Sequence, residues 1–265
     1  MFWNIMKKDL TSDIRALCEE NEIHFLLLAE AQAINKTGLE TELKTISNDY
    51  KLATVIDTAK VFCWHKLNNV RAVKDDNYYS AYVLDDGQEE ILIVGIHAPS
   101  KIHMESSEQA LFITRIIMDI KQLEDQLNIT NTMVVGDFNM DPFEAGMVAS
   151  ESFHAIFCDT TARRGSRSVN NQNRRFFFNP MWHLHANRDL PTKGSYYFGN
   201  GGIMSYFWHM FDQVIIRPEI LDRFNFDSLK IITRIESIGK SLLDANGRPN
   251  KTEASDHLPI SFSIN

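Results

Sequence analysis

Apolar runs recur along the chain, and most of them close on a polar side chain. Residues 22–31 (EIHFLLLAEA) and 89–100 (EEILIVGIHAPS) read as central strands, the first reaching Glu30 and the second His97. Residues 60–67 (KVFCWHKL) and 78–85 (YYSAYVLD) are rich in aromatic and branched residues and read as further strands. Met133, Val134 and Val135 form a buried strand that stops at Gly136-Asp137-Phe138-Asn139. In the second half, residues 210–218, 229–235 and 258–265 are strand-like. In the last of these Leu258, Ile260, Phe262 and Ile264 alternate with Ser261 and Ser263, the pattern of a half-buried strand.

The period changes between 106 and 127. Ile113, Ile116, Ile117, Ile120, Leu123 and Leu127 fall on one helical face, and Ser106 with Gln109 suits a capping box. Shorter helices are expected at about 10–21, with Ile14, Leu17 and Cys18 inward, and at about 38–48, with Leu39, Leu43 and Ile46 inward. After the 133–135 strand, Asp141, Pro142 and Glu144 suit the N-cap, first-turn proline and capping-box positions of another helix. Neither strict strand–helix alternation nor an all-β pattern fits. Many strands with a few helices predict an α/β (α+β) chain of two stacked sheets with helices outside. With 265 residues, 44% of them hydrophobic, and no Gly/Ser/Pro-rich linker or internal repeat, a single domain spanning residues 1–265 is expected.

Composition narrows the setting. Cys18, Cys63 and Cys158 are far apart and lack a CxxC spacing, so they read as buried thiols in a reducing compartment. The N-terminal MFWNIMKKDL has no apolar core behind a basic start, and no apolar run approaches the ~20 residues of a membrane span, so a cytoplasmic protein is expected. A net charge of −8 argues against a simple electrostatic binder of nucleic acid, but not against an enzyme whose acids hold metal ions. Against this balance, residues 163–175 carry Arg163, Arg164, Arg167, Arg174 and Arg175 without an acid. They read either as a solvated, mobile loop or as an arm contacting substrate phosphates.

The polar strand ends are the candidate chemistry: Asn4, Glu30, His97, Asp137, Asn139, Asp212, Asp256 and His257. Sheet ends lying side by side would gather them into one cleft. Hard oxygen ligands with two imidazoles favour Mg²⁺ or Mn²⁺ over zinc, and such ions suit phosphoryl chemistry.

In order, FWNI, LLLAE, GIHAPS, GDFNMDP, FDQVII and SDHLPI resemble the endonuclease/exonuclease/phosphatase superfamily of metal-dependent phosphoesterases, over residues 2–264. GDFN together with SDH is the specific pair. The resemblance implies a four-layer α/β sandwich, two packed mixed sheets flanked by helices, with one or two divalent ions. It casts Glu30 as the metal carboxylate, with Asn4 and Asp256 close to the same ion. Asp137 would orient or deprotonate the attacking water, with Asn139 steadying it and the phosphate. His257 would be the histidine at the scissile phosphate and Asp212 the acid fixing its tautomer. Either Asp137 or His257 can be the base. His97 matches the histidine-bearing branch, where abasic-site endonucleases carry a tyrosine, and the place of that histidine's glutamate partner offers only Asp57.

The implied reaction is in-line attack of water at phosphorus. The leading reading is a nuclease, an endonuclease on DNA or RNA. The alternative is a phosphatase or phosphodiesterase for a small or lipid phosphate. An inactive scaffold is disfavoured, because the full polar set is present. Residues 174–190 and 194–211 are rich in aromatics. Trp182, Tyr196, Tyr197, Tyr206, Phe207 and Trp208 would either pack in the core or offer stacking platforms. Tyr196 and Trp208 join the arginines as substrate-binding candidates. His183 and His185 read as surface histidines, and GNGG (199–202) as a turn.

Overall fold

In a computed structural model of the protein, the described residues are 1–101, 106–199 and 205–265, without the side chains of Ser106 and Ser107. The first half runs β1 (Phe2–Asn4), α1 (Thr11–Glu20), β2 (Phe25–Ala29), α2 (Lys36–Lys44), β3 (Lys51–Leu52), β4 (Val61–His65), β5 (Val70–Asp75), β6 (Tyr79–Asp85), β7 (Glu90–His97) and α3 (Ser106–Leu127). There follow β8 (Thr132–Asp137), α4 (Ala145–Val148), β9 (Ala155–Ile156), α5 (Asp159–Ala162), β10 (Ser166–Val169), β11 (Gln172–Arg175), β12 (Phe177–Phe178) and α6 (Trp182–Ala186). The chain closes with β13 (Tyr196–Phe198), β14 (Phe207–His209), β15 (Asp212–Ile216), β16 (Phe224–Ile231), β17 (Arg234–Ile235), β18 (Lys240–Ser241) and β19 (Ile260–Ile264).

Two mixed sheets form the centre. One has six strands in the order β16-β19-β1-β2-β4-β3, the other seven in the order β5-β6-β7-β8-β15-β12-β9. The β1–β2 and β7–β8 pairs are parallel. The near-continuous apolar runs follow from burial on both faces. In β2, Leu27 and Ala29 face the other sheet, while Leu26 and Leu28 lie under Ile14 and Leu17 of α1 and Leu39 and Leu43 of α2. In β7 and β8, Ile93, Met133 and Val135 enter the space between the sheets. Their neighbours Leu92, Val94 and Val134 meet Ile113, Ile116, Ile117 and Ile120 of α3. Helices, sheet, sheet and helix are the four expected layers.

Several local expectations change. Asp141 does not cap a helix with its side chain; its carboxylate is drawn off to Met210 N and His209, and α4 is only Ala145–Val148. Half of the capping box survives, since Asp141 N donates to Glu144 Oε1 at 2.8 Å. The Ser106 cap lies outside the described side chains, and Gln109 instead donates to Pro99 O and Asn139 O, tying α3 to the candidate site. The GNGG stretch lies outside the described residues beyond Gly199. The 229–235 strand is the end of the longer β16 plus the short β17. The arginine-rich stretch is a β10–β11 hairpin, turning at Asn170 and Asn171 with φ of 50° and 60°, as a type I′ turn requires. Cys18 and Cys63 are buried thiols, but Cys158 is exposed. Among the described residues no helix is long and apolar enough to cross a membrane.

One buried ion pair fastens α3 to the far end of the second sheet. Arg217, fully buried, donates from Nε and Nη2 to Glu124 at 2.8 and 2.9 Å and from Nη1 to Phe176 O at 3.0 Å. Its guanidinium also lies 3.8 Å over the Phe177 ring. Removing one partner strands the other charge in the interior. Glu124→Ala is therefore expected to lose about 3–5 kcal/mol in urea unfolding, and the double change Glu124→Leu with Arg217→Met to recover most of it. A loss below about 1 kcal/mol for Glu124→Ala would show that the pair is solvated.

Candidate active site

Strand register assembles the site. Because β8 is parallel to β7 and antiparallel to β15, His97, Asp137 and Asp212 stand side by side at one sheet edge. In the opposing sheet Asn4 ends β1 beside Ala29, so Glu30 leaves β2 at the same edge. Asp256 and His257 precede β19 there. The backbone turns sharply at this edge. Glu30 and Asn139 both sit in the left-handed region, with φ of 52° and 50°. Gly136 packs against β7 so tightly that a Cβ would lie 1.9 Å from Ile96 O.

Asp137 is the centre. It is 1% exposed, and its carboxylate is held from two sides. Asn4 Nδ2 donates to Oδ2 at 3.0 Å, and Asn139 N donates to Oδ1 at 2.8 Å. Asn4 is itself oriented by Met6 N, which donates to its Oδ1. Asn139 Nδ2 donates to Ala98 O at 2.9 Å, bracing the loop after β8 against the one after β7. His97 Nε2 lies 3.7 Å from both Glu30 Oε1 and Asp137 Oδ2. His257 Nε2 lies 3.8 Å from Asp137 Oδ2, and its Nδ1 donates to Asp212 Oδ2 at 2.8 Å.

His257 is fixed from behind as well. Ser255 Oγ donates to Asn4 O at 2.6 Å and accepts from His257 N, and Trp3 Nε1 donates to His257 O. The Tyr196 ring lies 4.7 Å away. Burial disfavours the imidazolium, but the charges of Asp212, Asp137 and Asp256 outweigh it and push the His257 pKa up to about 10. Burial pushes Asp212 upward, against the pull of His257. His97 goes the other way: burial lowers its proton affinity, the charge of Lys60 adds to that, and Asp137 and Glu30 oppose it. His97 Nδ1 is buried with no hydrogen-bond partner among the described residues, so Asp57 does not replace the glutamate partner.

The other candidates divide. Tyr196 lines the site, whereas Trp208 pairs with Tyr197, edge-on at 5.3 Å, and packs against the core cluster of Trp3, Ile14 and Leu28. The arginines are not brought in. Arg175 pairs with Glu219 and reaches Thr130 O, just before the start of β8, which itself lies about 17 Å along the strand from Asp137. Arg163 pairs with Asp222, Arg174 with Glu151, and Arg167 donates to His154. Arg164 follows Arg163 at the end of α5. Nor do His183 and His185 converge: their Nδ1 atoms bond Pro180 O and Lys193 O. A second aspartate–histidine couple goes unforeseen. His209 Nδ1 bonds Asp141 Oδ2 at 2.7 Å, and the signal was the GDFNMDP motif itself, whose last acid reads locally as a cap.

The donor set fits a divalent cation. Asp137, Asp212 and His257 offer ligand atoms within 4.8 Å of one another, and Glu30 adds a partly exposed carboxylate beside them. Asp212 Oδ1 is buried without a hydrogen-bond partner among the described residues. Such a gathering of buried acids calls for positive charge. Asp212 Oδ2 is already committed to His257, and Asn4 to Asp137 and Met6 N.

No family model matches the chain, and no curated protein matches it. Among solved structures it is similar to an AP endonuclease from Archaeoglobus fulgidus, at TM-score 0.61 and 12% identity over 100% of this chain and 98% of that one. It is also similar to the 3′ phosphatase NExo from Neisseria bound to product DNA hairpin, at TM-score 0.57 and 10% identity over 100% and 98%. Truncated TDP2 from Caenorhabditis elegans gives TM-score 0.56 and 12% identity over 99% and 96%. The chain has the fold of the endonuclease/exonuclease/phosphatase superfamily, the family its motif order resembles.

The acids around His257 make a testable demand. Its protonation stabilises the metal-free fold, a contribution complete below pH 6.5 and lost as pH rises through about 10. In NMR titration of the metal-free protein the His257 ring is expected to stay charged at pH 8, and Asp212→Asn to bring its midpoint down. A wild-type midpoint at the ordinary histidine value would mean that Asp212 and Asp137 do not act on the ring.

Proposed function

We propose that the protein is a divalent-metal-dependent phosphodiester hydrolase and, more specifically, a nuclease acting on DNA or RNA in a reducing, cytoplasmic compartment. The observation that carries this reading is the meeting of Glu30, His97, Asp137 and the Asp212–His257 couple at the paired sheet edges. Glu30, with Asn4 and Asp256, would hold one or two Mg²⁺ or Mn²⁺ ions, which supply charge neutralisation at a phosphate oxygen.

The protein's own groups divide the remaining work. Asp137 Oδ2 and His257 Nε2 lie 3.8 Å apart, too close for a group between them but near enough that a phosphate and its attacking water set against the pair would touch both. The acids around His257 favour its charged form, so it would donate Nε2–H to a phosphate oxygen while Asp137 receives the water's proton. Asp212 keeps the ring in that orientation. Asn4 and Asn139 keep the Asp137 carboxylate in one rotamer, which holds the attack in line. His97, kept neutral by burial, donates from Nε2 towards the leaving oxygen.

A second reading is a phosphatase or phosphodiesterase for a small phosphate ester. It is favoured by the arginine-rich stretch 163–175, in which Arg163, Arg174 and Arg175 pair with Asp222, Glu151 and Glu219 instead of a substrate backbone.

Asp137→Ala, His257→Ala and Glu30→Ala are each expected to fold and to lose at least ~10² in turnover. Turnover like the wild type's in any purified variant removes that residue from the scheme. Incubation with Mg²⁺ or Mn²⁺ and plasmid, single-stranded DNA, RNA and p-nitrophenyl phosphate esters, with an EDTA control, separates the two readings. Hydrolysis of the esters alone rejects the nuclease.

A further inference from the structure

We propose that a run of tilted aromatic rings leading away from His257 seats the unpaired bases of a single-stranded nucleic acid, a substrate class that rests on the nuclease reading above. From Tyr196, against His257, the rings continue through Phe211, stacked at 5.2 Å, to His209, stacked on Phe211 at 4.7 Å. Tyr206 lies 6.3 Å from His209, Phe143 5.3 Å from Tyr206, Trp182 6.3 Å from Phe143, and Phe157 5.3 Å from Trp182.

These rings come from five separate segments, and a core would bury them. Instead Phe157 is 67% exposed, Tyr206 56% and Phe143 36%. From Tyr206 outward the planes meet at 51° to 64°, tilted or edge-on, so none of these rings is stacked on its neighbour. A ring face open to water is a platform for any base, because every base has a π-face. Bases inside a duplex are already stacked on each other, which selects an unpaired strand.

The inner end carries the complementary polar group. His209, anchored through Nδ1 by the buried Asp141, stands between the exposed rings and the site, where a backbone phosphate would pass. The run is continuous with the catalytic edge, so a protein segment lying along it would cross the site's mouth. A strand delivered to His257 enters by that route. Of the platforms expected from the sequence, Tyr206 and Trp182 belong to this run, and Phe143 and Phe157 join them.

The test is anisotropy of fluorescein-labelled oligothymidylate and oligouridylate, about 12 nucleotides long, on the metal-free protein. Tyr206→Ala and Phe157→Ala are each expected to weaken binding about tenfold, with binding of a duplex of equal length unchanged. Phe143→Leu, which keeps the apolar contact and loses the ring, is expected to weaken it likewise. With Mg²⁺, hydrolysis of bis(p-nitrophenyl) phosphate by these variants should stay within about twofold of the wild type. The proposal is overturned if the wild type binds no single strand, if all three variants bind it unchanged, or if duplex binding falls equally. Ring-dependent binding without cleavage upholds the platform and rejects the nuclease reading. Cleavage indifferent to the rings does the reverse.

Discussion

The structure depends on keeping a carboxylate almost dry at the end of β8. An ionised acid without solvent survives only if other groups replace the water it has lost. Asp137 obtains that replacement from Asn4 of the opposing sheet, from the backbone of its own loop at Asn139, and from the facing charge of His257. Each donor belongs to a different segment. The sheets must therefore pack with these particular strand ends aligned, and Gly136 must let β8 approach β7 without a side chain between them.

The same economy explains the contrast between the two histidines. They lie on opposite sides of Asp137 at almost equal distances, yet burial and charge act on them with different results. His257 has a buried aspartate on Nδ1 and two more acids nearby, which outweigh its desolvation. His97 has an orphaned Nδ1 and a lysine's field, which do not. One imidazole is thus set to carry a charge and the other to remain neutral. Two histidines at strand ends acquire unlike chemistry from what stands behind them.

Electrostatics away from the site are organised for stability. The cationic hairpin, which in isolation resembles a phosphate-binding arm, is turned toward Glu219 and Glu151, and the buried Arg217–Glu124 pair lies behind it. Under the proposed nuclease reading, that leaves recognition beyond the central phosphate to uncharged groups such as the exposed rings.

Sequence by itself determined the layering, because apolar residues on both faces of β2, β7 and β8 require cover on both sides, and the 3.6-residue stripe of α3 supplies it. It also marked the polar strand ends, since Glu30, His97, Asp137 and Asp212 each close or open an apolar run. Tertiary structure alone decided which polar residues are partners. The arginines, Asp141, Gln109 and Trp208 have local patterns that suit a loop, a cap or a platform equally well. Hydrogen bonds and ion pairs are settled by groups distant in the chain: Asp141 finds His209 68 residues away, and Asn4 finds Asp137 133 residues away. Periodicity records which way a side chain faces, but a polar contact is fixed only when the two sheets close and water is expelled between them.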